Sequence, residues 1–204
     1  IEVIYNNRLV GRLALTREGL CAFEYSAEWL SSGFSISPFE LPLRSGVFIA
    51  KPRPFEGGFG VFDDCLPDGW GLLILDRYLQ QKGINPRTLT LLDRLALVGS
   101  TGRGALEFRP DNSVVTRQDF ADFEKLALEA EKILASDDYM GEGIEEFQDR
   151  GGSPGGARPK IFVRYNDKEW LVKFRAKRDS QSIGVDEYRY SLLAKECGIE
   201  MPET

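Results

Sequence analysis

The hydrophobic pattern opens on short strand-like runs, passes to helical spacing after residue 68, and returns to strands near residue 160. Ile1 to Tyr5 and Leu9 to Leu15 flank Asn6-Asn7. Asparagine tolerates the positive φ of a tight turn, so the opening is predicted to be a hairpin. Leu20 to Tyr25 supplies a third strand, and Ser26 is placed to cap a short helical turn, Ala27 to Leu30. Pro38, Pro42, Pro52 and Pro54 then enforce irregular chain. Leu72, Leu73, Leu75, Tyr78 and Leu79 fall at near-helical spacing up to Gly83, and Thr88 to Val98 repeats the pattern up to Gly99. Ala105 to Phe108 returns as a strand.

A longer amphipathic helix is predicted over Thr116 to Leu134, with Phe120, Phe123, Leu126, Ala127, Ala130 and Leu134 on one face. The acids that follow (Asp137, Asp138, Glu142, Glu145, Glu146 and Asp149) suggest a solvated linker, because unpaired like charges resist burial. Gly151 to Gly156 favours a loop. Beyond it, Lys160 to Tyr165 and Glu169 to Phe174 flank Asn166-Asp167 as a second hairpin, and Val185 to Cys197 is a helix closed by Gly198. The expected fold class is α+β. An N-terminal mixed sheet-and-helix subdomain (1–115) leads through a bridging helix and acidic linker (116–150) to a two-strand hairpin plus helix (151–204).

Composition narrows the chemistry. With 204 residues, 42% of them hydrophobic, the chain can bury a sizeable core. No run approaches the roughly 20 apolar residues of a membrane span. Ile1 to Ile4 shows no export signal, so a cytoplasmic location without membrane contact is expected. The absence of histidine excludes imidazole acid-base chemistry and His-ligated metals within this sequence. A net charge of -6 argues against a broad nucleic-acid surface. Cys21, Cys65 and Cys197 form no CxxC pair and are expected to be buried thiols.

Several motifs admit a structural reading. Gly99-Ser100-Thr101-Gly102-Arg103-Gly104 follows a helix and precedes a strand, the reverse of a dinucleotide fingerprint, and is expected to be a C-cap and turn. Asp63, Asp64 and Asp68 match no Ca²⁺ loop spacing and are expected to cap helices. Trp29, Trp70 and Phe59 are expected in the core. One constellation points to chemistry. A glycine loop precedes a hairpin whose second strand carries Lys173, and the next helix carries Glu187. Loop glycines let backbone N–H groups approach phosphates, a strand lysine supplies a fixed cation, and a helix glutamate can steady it.

Segments along most of the chain resemble the HipA family of serine/threonine protein kinases. Phe62-Asp63-Asp64-Cys65-Leu66-Pro67-Asp68-Gly69-Trp70 is similar to the family's phenylalanine-to-LLPD segment, and Val98 to Ala105 to its G-x-x-x-x-G-A turn. Phe23 to Leu30 resembles F-x-Y-x-x-x-W-L. Leu41-Pro42-Leu43 resembles S-L-P-L, with Glu40 where serine is usual. Gly152 to Lys160 resembles the S-x-x-G-A-x-x-K loop, and Asp186-Glu187-Tyr188 with Leu192 to Ile199 resembles the helix after the family's lysine.

The resemblance implies a kinase-like N-lobe using ATP and Mg²⁺, in a protein that phosphorylates a protein hydroxyl and acts as a toxin. It implies an autophosphorylated loop serine at Ser153, an ATP-binding set of Ser153, Pro154, Gly155, Gly156, Ala157 and Lys173, and Glu187 as the lysine's support. It settles no role for Lys160. It also implies a helix-turn-helix antitoxin as partner, through which DNA is contacted only indirectly, and allows a dimer. The family's catalytic and Mg²⁺-binding aspartates belong to a helical C-lobe and are expected only after Thr204, so no catalytic residue and no metal ligand is assigned within the sequence. Residues 1–204 alone are therefore expected to have no turnover. The rival reading makes residues 1–115 a non-catalytic module that docks a helix-turn-helix repressor or a second copy of the chain.

Overall fold

The structure, a computed structural model, describes residues 1–113, 121–151 and 156–204. Strands β1 (Glu2–Tyr5) and β2 (Arg8–Leu15) form the predicted hairpin, with Asn6 and Asn7 both at positive φ in the turn. β3 (Cys21–Tyr25) adds to β2, β4 (Val47–Ile49) adds to β3, and β5 (Glu107–Arg109) pairs with β1. The result is an antiparallel sheet of order β4-β3-β2-β1-β5. Its register places Val3, Phe108, Leu13, Phe23 and Phe48 on one face, since directly paired residues share a side. That face is buried against Trp29, Phe62 and Leu95, which makes the first core.

Helices close over this face. α1 (Ala27–Ser32) starts at Ser26, whose hydroxyl accepts the Trp29 N–H at 3.1 Å as predicted. α2 (Gly60–Asp63) seats Phe62, and α3 (Gly69–Gln81) follows. α4 (Leu91–Val98) begins later than the expected Thr88, because Thr90 and Asp93 form a reciprocal capping box. Hydrogen bonds donated by the Thr90 hydroxyl and then by its backbone N–H hold the Asp93 carboxyl below its ordinary range. Gly99 ends α4 at φ 51.

The second core gathers Trp70 and Ile74 of α3, then Leu126, Ala130 and Ile133 of α5 (Phe123–Ala135). Ile144 and Phe147 of α6 (Gly143–Gly151) join them, with Ile161 and Val163 of β6 (Lys160–Tyr165). β7 (Lys168–Lys173) completes the second hairpin around Asn166-Asp167, both at positive φ, and α7 (Ile183–Glu196) closes at Gly198. Trp29, Trp70 and Phe59 are core residues, at 1%, 2% and 4% exposure. Among the described residues no helix is long and apolar enough to cross a membrane.

Other expectations are corrected by the structure. α5 starts at Phe123 under an Asp122 cap, not at Thr116; residues 114–120, including Phe120, lie outside the described residues. Phe123 is exposed, and Ile133 occupies the buried stripe together with Glu129. Glu129 is tolerated there because Lys132 and Tyr139 both hydrogen-bond its carboxylate. The acidic stretch is not simply a solvated linker: α6 buries Ile144 and Phe147, three residues apart, while Glu142 and Glu145 point outward. Finally, the thiols differ. Burial pushes Cys21 and Cys65 up to about 11, whereas Cys197 is exposed.

Candidate functional site

Pairing across the second hairpin sets Lys160 of β6 directly opposite Lys173 of β7, so the two ammonium groups leave the same face. The neighbouring pair, Ile161 and Val172, faces the second core. Lys173 Nζ reaches across to α7 and meets Glu187 Oε1 at 2.6 Å, the link expected from the sequence. Both partners are about half exposed, at 44% and 48% of their side chains. Lys160 is buried, its Nζ 3.1 Å from where a side chain on Gly156 would begin. Burial, followed by the charge of Lys173, pushes its pKa down, while Asp68 works the other way.

Of the predicted loop residues, Gly156 and Ala157 are exposed; Ser153, Pro154 and Gly155 lie outside the described residues. Gly156 takes φ +94, a conformation suited to glycine. Arg158 extends from the loop to Asp179, at 2.8 Å, and Asp179 also accepts the Ala176 N–H at 2.9 Å. These hydrogen bonds, the backbone one foremost, hold the Asp179 carboxyl below its usual range. The loop's exit and the chain after β7 are thereby tied together, a contact the sequence reading missed. Gly156, Ala157, Lys160, Lys173 and Arg158 thus present a backbone donor and three cations around one hairpin edge, a set suited to a phosphorylated ligand.

The expectation that Asp63, Asp64 and Asp68 cap helices through their side chains is overturned. Asp63 ends α2 and Asp64 is its C-cap residue, while Asp68 holds the N-cap position of α3 without capping it. Its Oδ1 instead accepts the Gly156 N–H at 2.7 Å. One residue beyond Gly69, Trp70 N–H donates to the Gly156 carbonyl at 3.1 Å. Gly69 stands between at φ +44, and a Cβ there would lie 2.7 Å from the Gly156 carbonyl group. Only glycine admits this backbone-on-backbone approach. Asp68, Gly69 and Leu72 also line a groove of about 630 Å³ running between the first sheet and α3.

A second tie crosses from the Gly99–Gly104 turn. Arg103 lies 3.4 Å over the Phe162 ring and pairs with Glu169 at 2.6 Å, on the open face of the hairpin. Gly99 confirms the C-cap half of the turn's reading, while the role of Arg103 has no local sequence signal.

Thr204 folds back onto α7. Its Oγ1 shares a hydrogen bond of 2.8 Å with Ser191 Oγ, and nearby Glu203 pairs with Lys168 of β7. Thr204 thus lies against the helix that carries Glu187, another contact that the sequence reading missed.

The family model described as HipA N-terminal domain matches residues 1–109, and that described as HipA-like C-terminal domain matches residues 152–204. No curated protein matches the chain. A similar fold occurs in the solved complex of the Shewanella oneidensis MR-1 toxin-antitoxin system HipA, HipB and its operator DNA, with a TM-score of 0.60 and 21% identity. That match covers 99% of this chain but 46% of the other, so this chain spans about half its neighbour's length. With one HipA model taking in residues 1–109 of 204 and another the last stretch, the chain belongs to the HipA family.

Proposed function

We propose that this chain forms the nucleotide-gripping part of a HipA-type serine/threonine protein kinase, which transfers the ATP γ-phosphate to a protein hydroxyl and acts as a toxin. The observation that carries the reading is the 2.6 Å Lys173–Glu187 ion pair beside the glycine loop. A lysine held by a helix glutamate is a fixed cation for ATP phosphates, and phosphoryl transfer depends mainly on such positioning and charge stabilisation. The Gly156 and Ala157 backbone would cradle the phosphates, and Lys160 adds a second, partly desolvated cation. Ser153 is assigned autophosphorylation, and Pro154 and Gly155 complete the loop; all three rest on the family motif alone.

Mg²⁺ does not fit the described residues, among which no group of three or more Asp, Glu, Cys or His side chains is placed to hold a metal. The cation-rich edge suits phosphate oxygens and leaves metal ligation and the substrate hydroxyl to the family's C-lobe. Residues 1–204 alone are accordingly assigned nucleotide binding without turnover. In the cytoplasm, where this reading puts the protein, the partner is a helix-turn-helix antitoxin, in line with the HipB named in the related complex, and DNA is reached only through it. Residues 1–115 are assigned to docking that antitoxin or a second copy of the chain.

Lys173→Ala in the chain extended through its C-lobe tests the assignment. Loss of phosphate transfer by at least about 100-fold, with antitoxin binding retained, is expected from removing a charge of this kind. Transfer at the wild-type rate, followed by radiolabelled ATP, would refute it.

A further inference from the structure

The groups that would receive a nucleotide's phosphates already hold an anion belonging to the protein. Asp68 Oδ1 accepts the Gly156 N–H at 2.7 Å. Its charge is felt by Lys160, as are those of Lys173 and Arg158, so one carboxylate sits within electrostatic reach of the same cation cluster. The carboxylate does not serve its own helix: Asp68 is the N-cap residue of α3, yet makes no capping hydrogen bond. Its α3 neighbour Trp70 fixes the other side of the same residue by donating to the Gly156 carbonyl at 3.1 Å. Gly69 keeps the two backbones in contact, because a Cβ would stand 2.7 Å from that carbonyl group.

We propose that Asp68 is a built-in competitor for phosphate, a latch by which the first unit of the chain holds Gly156 and lowers nucleotide affinity until the carboxylate is displaced. This rests on the nucleotide reading of the site and names its regulation. A single N–H donates fully to one acceptor, and charge-assisted bonds of this kind are about twice as strong as neutral ones. An incoming phosphate must therefore take the Gly156 N–H from Asp68 while meeting like-charge repulsion from the carboxylate it displaces. Because the latch springs from the N-terminus of α3, any event that moves α3 relative to the second hairpin sets the strength of the grip. The Gly69–Gly156 approach ties the contact to this corner of α3, where Asp68 and Trp70 between them hold the N–H and the carbonyl of Gly156.

The test is calorimetric titration of residues 1–204 and of Asp68→Asn with ATP free of added metal, inorganic tripolyphosphate and adenosine. Asparagine keeps an acceptor oxygen for Gly156 and removes only the charge. Asp68→Ala, which removes the acceptor as well, is titrated alongside after circular dichroism shows the wild-type spectrum. The expected result is about five-fold tighter binding of ATP and tripolyphosphate by Asp68→Asn, with adenosine unchanged. ATP affinity that is equal or weaker in both variants, or a gain shared by adenosine, overturns the latch and leaves the nucleotide reading standing. Failure of wild type and both variants to bind ATP or tripolyphosphate overturns the nucleotide reading and the latch together.

Discussion

Lys160 shows how one residue can carry both a cost and a use. It is buried on the same face as Lys173, and burial first, then its like-charged neighbours, depress its pKa. The folded chain therefore binds fewer protons than the unfolded chain at pH values between the depressed value and the ordinary lysine value. In that window stability rises with pH. Replacing the ammonium with an apolar group of similar length removes this dependence. Relative to Lys160→Met, the wild type is expected to gain stability as pH rises from 7 toward 10, read from urea midpoints at each pH. A gap that shrinks over that range would mean that Lys160 is held charged by the fold. An anion at the site adds counter-charge, so the same measurement with saturating tripolyphosphate should flatten the slope. Sequence made Lys173 and Glu187 legible, because strand, turn and helix follow one another within 15 residues. It left Lys160 without a role, since neither its burial nor its approach to Gly156 has a local signal.

At the scale of elements, what was legible was what is local. Both hairpins announced themselves through Asn-Asn and Asn-Asp, the residues that take positive φ in tight turns, and α1 through Ser26. α6 was not legible. Its acids dominate the composition, while among the described residues its apolar side chains in the core are Ile144 and Phe147. Phe147 packs edge-on against Trp70 at 5.0 Å and Phe174 at 5.8 Å, joining α3, α6 and the chain after β7. Phe147→Ala should cost about 3–5 kcal/mol, the range for deleting a buried aromatic ring. Urea unfolding followed by tryptophan fluorescence checks the figure, and a loss below about 1 kcal/mol would mean that α6 is dispensable to the second core.

At the scale of the molecule, the cores do not divide where composition changes. α3 lies in the sequence among the first unit's elements, and Arg94 of α4 bonds its Asp76 at 2.9 Å. Its Trp70 and Ile74 nonetheless belong to the second core, and its buried Arg77 donates to the Ile133 carbonyl of α5 at 2.8 Å. Asp68, Gly69 and Trp70 could not be paired with Gly156 from sequence, because 88 residues separate Asp68 from it and neither side has a periodic signal. Arg103 and Glu169 meet across a similar separation of 66 residues. This sharing bears on whether the first unit can act as an independent docking module. A chain of residues 1–113 would keep the five-stranded sheet and its core but present Trp70, Leu73, Ile74 and Tyr78 to water on one face of α3. Such a contiguous apolar face invites dye binding and self-association. The fragment is therefore expected to bind anilinonaphthalene sulfonate and to lose the near-ultraviolet circular dichroism of a fixed Trp70, while residues 1–204 do neither. If the fragment stays dye-silent with Trp70 still immobilised, α3 finds its seat within the first unit. The second hairpin would then be a guest on a finished module, and the grip on Gly156 would be a contact between two independent bodies.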